Sequence, residues 1–259
     1  MPETNIAVQA YLDYFQFDIA EQTDIRWERI EHDSIAVFVY TPVNPVATAV
    51  CIHGYLNHSG TSALLVNSLL SHSIRVVCAD LPGHGLSEGK SFDIGSFHEY
   101  GDFVDIVTRY CTDRWNDPLY YIAHSTGCAA MIDYLLRYDS PYNKVVFLAP
   151  LVRSWLWDLS MFGTFTMGWC LRSVPAARGP FSRDKDLVQR LKADKLRGKS
   201  VPISWVKALD RWNKFLKKCD VREETEFLVI QGTADTAVDA AYGKKFFDRV
   251  FPSHEYITM

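Results

Sequence analysis

The sequence has no long apolar run free of charge, and no basic segment leads into an apolar one near its first residue. A membrane-spanning helix needs about 20 consecutive apolar residues, so the first absence excludes a predicted span. The second gives no sign of a signal peptide, because Glu3, Asp13 and Asp18 stand where a secretory leader is basic or apolar. We therefore expect neither insertion into a membrane nor secretion.

Paired cysteines and an excess of positive charge are also missing. The cysteines form no C-x-x-C pair and are scattered along the chain: Cys51, Cys78, Cys111, Cys128, Cys170 and Cys219. This spacing predicts free thiols in a reducing compartment, so we expect a cytoplasmic protein. The net charge of −4 offers no surface for a polyanion, so we expect no nucleic-acid partner. No histidine pair has the spacing of a ligand set, so we expect no metal and no cofactor.

What the sequence does contain is a series of short apolar runs separated by helix-like stretches. Runs of this kind predict central strands of a parallel sheet covered on both faces, and they lie at residues 48–52, 74–79, 119–123, 144–149 and 226–230. Residues 25–31 and 34–41 alternate in polarity and predict an antiparallel pair before them. The predicted fold class is therefore α/β, with a mostly parallel, doubly wound sheet.

Residues 151–221 interrupt this alternation, because they show no strand pattern and are crowded with aromatic residues and methionine between Trp155 and Trp169. We predict an inserted helical cap here, on a core formed by residues 1–150 and 222–259. The apolar side chains are either the buried face of cap helices or the wall of a vestibule for an acyl chain. Trp155 and Phe162 are our candidate pocket residues. An apolar cap also predicts transient contact with a membrane or micelle.

Ser125 stands between a predicted strand and a predicted helix, in the sequence Ala-His-Ser-Thr-Gly. A serine raised on a strained turn above a sheet needs small neighbours two residues away on each side. Ala123 and Gly127 fill those two places. A serine is also a common helix N-cap, so these five residues alone leave two interpretations open, a cap and a nucleophile.

Other polar motifs decide between these interpretations by their position. His53, Asp80 and Asp235 follow the first, second and fifth of the parallel runs, just as Ser125 follows the third. Sites in open α/β sheets form beyond the carboxyl ends of the strands. This convergence favours the nucleophile over the cap.

Four segments together resemble the α/β-hydrolase fold, and within it the monoacylglycerol lipase and lysophospholipase group. They are HGYLNHSG (residues 53–60), DLPGHGLSEG (80–89), AHSTG (123–127) and QGTADTAVD (231–239). They occur in the order of that family and roughly at its spacing. The resemblance implies a serine ester hydrolase that acts on a lysophospholipid, a monoacylglycerol or a carboxylester through an acyl-enzyme.

The resemblance also implies a role for individual residues. Ser125 is the expected nucleophile and Asp235 the expected acid, with Asp239 a weaker candidate for the acid. The backbone N–H groups of Tyr55 and Thr126 are the expected oxyanion hole. Each donor there contributes about 3 kcal/mol to stabilising the transition state.

For the histidines the expectations differ. We assign His53 to the substrate pocket, although it and His58 are more often found holding the oxyanion loop. Asp80 is expected to order its own glycine-rich turn and His84 to pack there. His124 precedes the nucleophile, so its side chain is expected to point away from the pocket.

The catalytic base is the one member of the triad that these residues do not supply. The order in this fold is Ser, then Asp, then His, with the histidine after the last strand. His254 precedes the predicted last strand, 255–259, which puts it about 16 Å from the carboxyl end. We expect a sequence truncated before its histidine. The alternatives are a catalytically inactive relative that binds a lipid or a partner, and substitution by another histidine.

Overall fold

The computed structural model describes residues 6–167, 170–176, 184–221 and 226–259. The strands, in chain order, are β1 (Asp24–Ile30), β2 (Ile35–Thr41), β3 (Ala47–Ile52), β4 (Ile74–Ala79), β5 (Leu119–His124), β6 (Lys144–Leu148), β7 (Ser173–Pro175), β8 (Ser200–Pro202), β9 (Phe227–Gln231) and β10 (His254–Thr258). The α-helices are α1 (Ile6–Phe15), α2 (Ala63–Ser71), α3 (His98–Thr112), α4 (Thr126–Arg137), α5 (Trp157–Met167), α6 (Lys185–Ala193), α7 (Ile203–Leu216) and α8 (Ala240–Val250).

Eight of the strands form one sheet in the order β1-β2-β4-β3-β5-β6-β9-β10. The pairs β1–β2 and β2–β4 are antiparallel, and every other neighbouring pair in this sheet is parallel. The predicted antiparallel pair and the five predicted parallel runs all lie within one residue of observed strands. The expected α/β class with a mostly parallel, doubly wound sheet is confirmed.

Both faces of the sheet are covered, which explains why its central strands are apolar throughout. All six residues of β3 are buried. One hydrophobic cluster joins the sheet to α3, α4, α7 and α8, and a second joins the other face to α1 and α2. Strands β3 and β5 lie at the centre of this packing, so the turns that follow them are anchored to well-packed strands.

The segment 151–221 is only partly the helical cap that we expect. It contains α5 and α6, but β7 and β8 form an antiparallel ribbon that the sequence pattern does not predict. Helix α7 packs on the core, because Trp205 and Trp212 are buried and their indole N–H groups donate to Tyr100 Oη and Asp133 Oδ1 at 3.1 and 2.9 Å. The division into a core and a cap at these boundaries stays a prediction. Trp169 lies outside the described residues.

No helix in the described part of the chain is long and apolar enough to cross a membrane.

Candidate active site

Ser125 forms a strained turn between β5 and α4. Its φ of 50° and ψ of −108° lie in a region that L-residues seldom adopt. The backbone holds it there, since its N–H donates to Leu148 O at 3.0 Å and its carbonyl accepts from Leu151 N at 3.1 Å. Ser125 stands at the N-cap of α4, but its side chain makes no cap hydrogen bond. The helix-cap interpretation of this side chain is therefore wrong, and its role as a nucleophile stays a prediction.

Two glycines let the parts of the site approach one another. A Cβ at Gly127 would lie 2.6 Å from Ile52 O and 2.8 Å from His53 O, both backbone atoms of the β3 end. A Cβ at Gly54 would lie 3.1 Å from Ser125 Cβ. The close packing of α4 on β3 thus brings the segment after β3 into contact with the nucleophile candidate.

His124, the last residue of β5, lies against the loop that follows β3. Its Nδ1 atom lies 2.6 Å from the position of a Cβ at Gly54, so the ring packs against the loop that carries Tyr55. Part of the side chain is exposed. Desolvation by the surrounding protein lowers the pKa of His124, and the Asp235 carboxylate partly opposes this shift. His124 still pairs with Leu148 in the β5–β6 ladder, so it belongs to the strand. The expectation that its side chain points away from the pocket stays a prediction.

His53 is wrongly assigned to the substrate pocket. Only 2% of it is exposed, and both ring nitrogens have partners within the protein. Leu81 N–H can only donate, so His53 Nε2 accepts from it at 3.0 Å, and Nδ1–H therefore donates to Gly54 O at 2.8 Å. Burial lowers the pKa of His53 to about 3, so the ring is neutral. His53 joins the start of the loop that follows β3 to the turn after β4.

Asp80 ties the same two segments together from the other side. Its Oδ1 accepts from Ser59 N and Ser59 Oγ at 2.7 and 2.6 Å, and its Oδ2 accepts from Leu86 N at 2.8 Å. A Cβ at Gly85 would lie 2.1 Å from Asp80 Oδ2, so only glycine fits there. The prediction that Asp80 orders its glycine-rich turn is confirmed.

Tyr55 is held by its side chain, which leaves its backbone N–H as the group of interest. The phenol donates to Phe92 O at 2.6 Å. The ring stacks on Trp205 with centroids 3.9 Å apart and planes 19° from parallel. Tyr55 and Thr126 directly follow Gly54 and Ser125, the two residues that approach each other here. Their role as oxyanion donors stays a prediction.

Asp235 lies in the turn after β9, where its carboxylate is held in one orientation. Oδ1 accepts from Ala237 N and Val238 N at 2.7 and 3.1 Å, and Oδ2 accepts from Gln231 Nε2 at 3.0 Å. The N-cap of α8 is Asp239, which accepts from Tyr242 N. Asp235 is therefore not the helix cap.

Asp239 is less suited to the role of acid, because its other oxygen is already engaged. Arg153 Nη2 donates to Asp239 Oδ2 at 2.8 Å, and Arg153 Nε donates to the same atom at 3.1 Å. The guanidinium also lies over the ring of Tyr242, 4.4 Å from its centroid. This pair fixes α8 to the start of the cap.

No histidine of the described residues is hydrogen bonded to Ser125 Oγ. His254 pairs in register with Phe227, at the opposite end of the sheet from the site, and its Nδ1 is bonded to Phe251 O at 2.8 Å. The expectation that His254 lies at the wrong end of the last strand is confirmed. At the other end of β10, Met259 O accepts from Thr233 N at 2.8 Å, two residues before Asp235.

The predicted pocket residues of the cap lie in different surroundings. Trp155 lines a groove of about 350 Å³ together with Arg153, Leu156, Trp157, Asp158, Leu159 and Asp239. The groove lies next to the acid turn, because Trp155 N donates to Ala237 O at 2.9 Å. Phe162 is 66% exposed and is not part of this groove. Assignment of either residue to a substrate pocket stays a prediction.

With this geometry, comparison with known proteins becomes decisive. The family described as serine aminopeptidase, S33 (Hydrolase_4) matches residues 43–258, which is most of the chain. The chain belongs to this family. A monoacylglycerol lipase from Paleococcus ferrophilus has the same fold, with a TM-score of 0.73, 20% identity, and coverage of 87% of this chain and 88% of that one. The expected α/β-hydrolase fold is confirmed.

Curated relatives of this S33-family chain include two named lipases. Phospholipase YtpA of Bacillus subtilis is 26% identical over 222 residues, which cover 80% of this chain and 82% of that protein. Human monoglyceride lipase is 27% identical over 208 residues, which cover 76% and 67%. An uncharacterized abhydrolase domain-containing protein of Dictyostelium discoideum is 24% identical over 230 residues, 85% of this chain but only 24% of its own length. The resemblance to the monoacylglycerol lipase group is confirmed.

Sequence reasoning missed residues of this hydrolase that orient the site from a distance. Gln231 holds the Asp235 carboxylate, and its place at the end of β9 in the QGTAD segment is the only signal of that role. Trp205 stacks on Tyr55 although 150 positions separate them in the sequence. No local pattern could have paired these two rings.

Replacement of Gly127 by alanine tests the close packing of α4 on β3. We expect the Gly127→Ala protein to lose about 1–3 kcal/mol of unfolding free energy, because the new methyl group meets backbone oxygens that cannot move aside. Gly163→Ala is the matched control, since nothing lies within 4 Å of a Cβ there. Chemical denaturation measures both, and equal midpoints for the two variants would contradict the packing.

Burial of His84 predicts how stability depends on pH. Its Nδ1–H donates to Pro82 O at 2.9 Å, its Nε2 has no partner, and burial lowers its pKa to about 3. The unfolded chain binds a proton near pH 6.5 and the folded one does not, so each such histidine makes the fold less stable as pH falls from about 6.5 toward 3. The cost is about 1.4 kcal/mol per pH unit for each group, here His53 and His84.

The His84→Asn protein separates the effect of His84 protonation on stability from the effect of carboxylate titration. An asparagine amide can replace the Nδ1–H donor but takes up no proton. We expect its unfolding free energy, measured in urea at steps from pH 6 to pH 4, to fall less steeply than that of the wild-type protein by about 1.4 kcal/mol per pH unit. Identical slopes would mean that His84 is already protonated in the folded state.

Proposed function

We propose that this hydrolase cleaves carboxylic esters of lipid-like monoacyl compounds, with Ser125 as the nucleophile. The strained elbow carries the proposal. Ser125 is half-buried at φ 50°, and its side chain is not used to cap the helix that follows. Strain of this kind costs about 1–3 kcal/mol and persists mainly where function requires it.

In the proposed reaction, Ser125 Oγ attacks the ester carbonyl carbon while a base removes the hydroxyl proton. The Tyr55 and Thr126 N–H groups stabilise the negative charge that develops on the carbonyl oxygen. The tetrahedral intermediate expels the alcohol, which takes the proton from the base, and leaves an acyl ester on Ser125. Water then attacks that ester, releasing the fatty acid and restoring the serine. Asp235 orients the base and stabilises its protonated form.

The substrate class rests on the relatives and on the cap. Two relatives carry the names phospholipase and monoglyceride lipase, which supports a lysophospholipid, a monoacylglycerol or a simple carboxylester as substrate. Apolar side chains of the cap segment are exposed, as an acyl chain or a transient membrane contact requires: Trp155, Leu156, Leu159 and Phe162. Four cysteines, Cys51, Cys78, Cys111 and Cys128, are buried free thiols, which supports a cytoplasmic location.

The proposed reaction also requires a base that removes the proton from Ser125 Oγ. The carboxyl end of β10 lies beside the turn that carries Asp235, because the Thr233 N–H and hydroxyl both donate to Met259 O, at 2.8 and 3.0 Å. A relative that binds a lipid without turnover is the second candidate. The observation in its favour is that no histidine of the described residues is bonded to Ser125 Oγ.

Labelling and turnover by the full-length protein separate the two candidates. We expect a fluorophosphonate probe to label the wild-type protein at Ser125, and we expect the protein to hydrolyse p-nitrophenyl butyrate, lysophosphatidylcholine or monooleoylglycerol. Ser125→Ala should lose labelling and reduce kcat by about 10⁴-fold or more, because the nucleophile is gone. Ser71→Ala, at an exposed serine that ends α2, is the control and should change neither. Saturable lipid binding with no turnover of any ester, unchanged by Ser125→Ala, would instead establish the binding protein.

A further inference from the structure

Residues 194–198, a turn of the cap segment that we call the cap turn, are hydrogen bonded to the loop that follows β3. We call that loop, residues 53–58, the oxyanion loop. Three consecutive residues of the loop are hydrogen bonded to the cap turn: Leu56, Asn57 and His58. The partners are some 140 positions apart in the chain, so these contacts exist only in the folded protein.

The deepest of these contacts joins His58 to Asp194. His58 Nδ1 accepts from Gly60 N at 3.2 Å, so Nε2–H donates to Asp194 Oδ2 at 2.8 Å. Neither residue is more than 5% exposed. Burial raises the pKa of Asp194, but the interactions with His58, Leu196 N–H and Arg197 together outweigh it, and the net pKa lies below its ordinary value. The carboxylate is therefore charged and committed to this bond, while its Oδ1 accepts from Leu196 N and shapes the cap turn.

The two shallower contacts act on the residues next to Tyr55. Arg197 Nε donates to Asn57 Oδ1 at 2.7 Å, and Gly198 N donates to Leu56 O at 3.0 Å. Leu56 has a φ of 61°, a conformation that an L-residue with a bulky side chain adopts at a cost. A Cβ at Gly198 would lie 2.4 Å from Leu56 Cδ2, so the cap turn fits closely over the strained residue.

The core fixes other parts of this loop. His53 is bonded to Leu81 and Ser59 to Asp80, which anchors the loop at its start and just after its end. Tyr55 lies between these anchors and is followed directly by Leu56. The Leu56 carbonyl that the cap turn binds is therefore one residue from Tyr55.

We infer that the cap turn positions the oxyanion donor, with Asp194 and Arg197 as positioning residues that act through His58 and Asn57. The inference rests on the proposed function, because it assigns the Tyr55 N–H to the transition state. The cap segment would then position a catalytic group in addition to covering an acyl chain. A displaced cap turn would leave Ser125 in place but misdirect the donor, so it would slow the chemical step with little effect on substrate binding.

Two variants test the inference from the two sides of the contact, both made in the full-length protein. Asp194→Ala removes the acceptor on the cap turn, and Asn57→Ala removes the acceptor on the oxyanion loop. Asp186→Ala is the matched control, because it removes an exposed carboxylate from the first turn of α6. We expect kcat for p-nitrophenyl butyrate to fall about 10- to 100-fold in both variants, with KM changed less than about twofold.

A thionoester substrate distinguishes a lost donor from general damage. Its sulfur accepts a weak hydrogen bond, so an enzyme with an intact oxyanion hole strongly prefers the oxygen ester. We expect that preference to shrink in Asp194→Ala and Asn57→Ala by about the factor lost in kcat, and to stay unchanged in Asp186→Ala. Equal losses on both substrates would overturn the inference, because they would mean that the donor is unaffected.

Amide hydrogen exchange provides a readout that needs no turnover. We expect the amides of residues 55–57 to exchange faster in both variants, while those of α4 and β5 stay as in the wild-type protein. If the wild-type protein hydrolyses no ester, the proposed function fails, and exchange still decides whether the cap turn holds the loop. Exchange at residues 55–57 equal to that of the Asp186→Ala control would contradict the contact itself. Should Asp194→Ala fail to fold, the half-buried Asn57→Ala carries the same test.

Discussion

The close approach of α4 to the end of β3 is the constraint on which the rest of the site depends. Because Gly127 has no side chain, the start of α4 can approach the carbonyl of Ile52. A Cβ at Gly127 would lie only 2.6 Å from Ile52 O. Ser125 lies in its strained turn directly before this contact, against Gly54. A larger residue at either glycine would separate the nucleophile candidate from the loop that carries Tyr55, the candidate oxyanion donor.

Around this contact the protein buries polar groups that would be costly without partners. Asp80 is fully buried, yet its carboxylate accepts three hydrogen bonds from two loops. His53 stays neutral because burial lowers its pKa, and its nitrogens are matched to one donor and one acceptor. Such fully partnered groups favour one arrangement of the loops over others, since any shift would leave a buried atom unsatisfied. The site is thus held by polar contacts above an apolar sheet.

Much of this could be predicted from the sequence. Apolar runs and the residues that follow them located the strands within a residue, and they put Ser125 and Asp235 at one edge of the sheet. The errors concern long-range packing. His53 has the position of a pocket residue, but only the turn after β4 shows that its ring is enclosed. The ribbon of β7 and β8 is too short to leave a pattern.

The sequence by itself determined the parallel sheet, the elbow at Ser125 and the order of the candidate nucleophile and acid, because apolar periodicity and small residues act locally along the chain. Only the tertiary structure decided which side chains hold these groups in place. Trp205 on Tyr55 and Asp194 on His58 join residues more than 100 positions apart. Contacts of that kind arise from the way the inserted segment folds back on the sheet, and no short stretch of sequence records them.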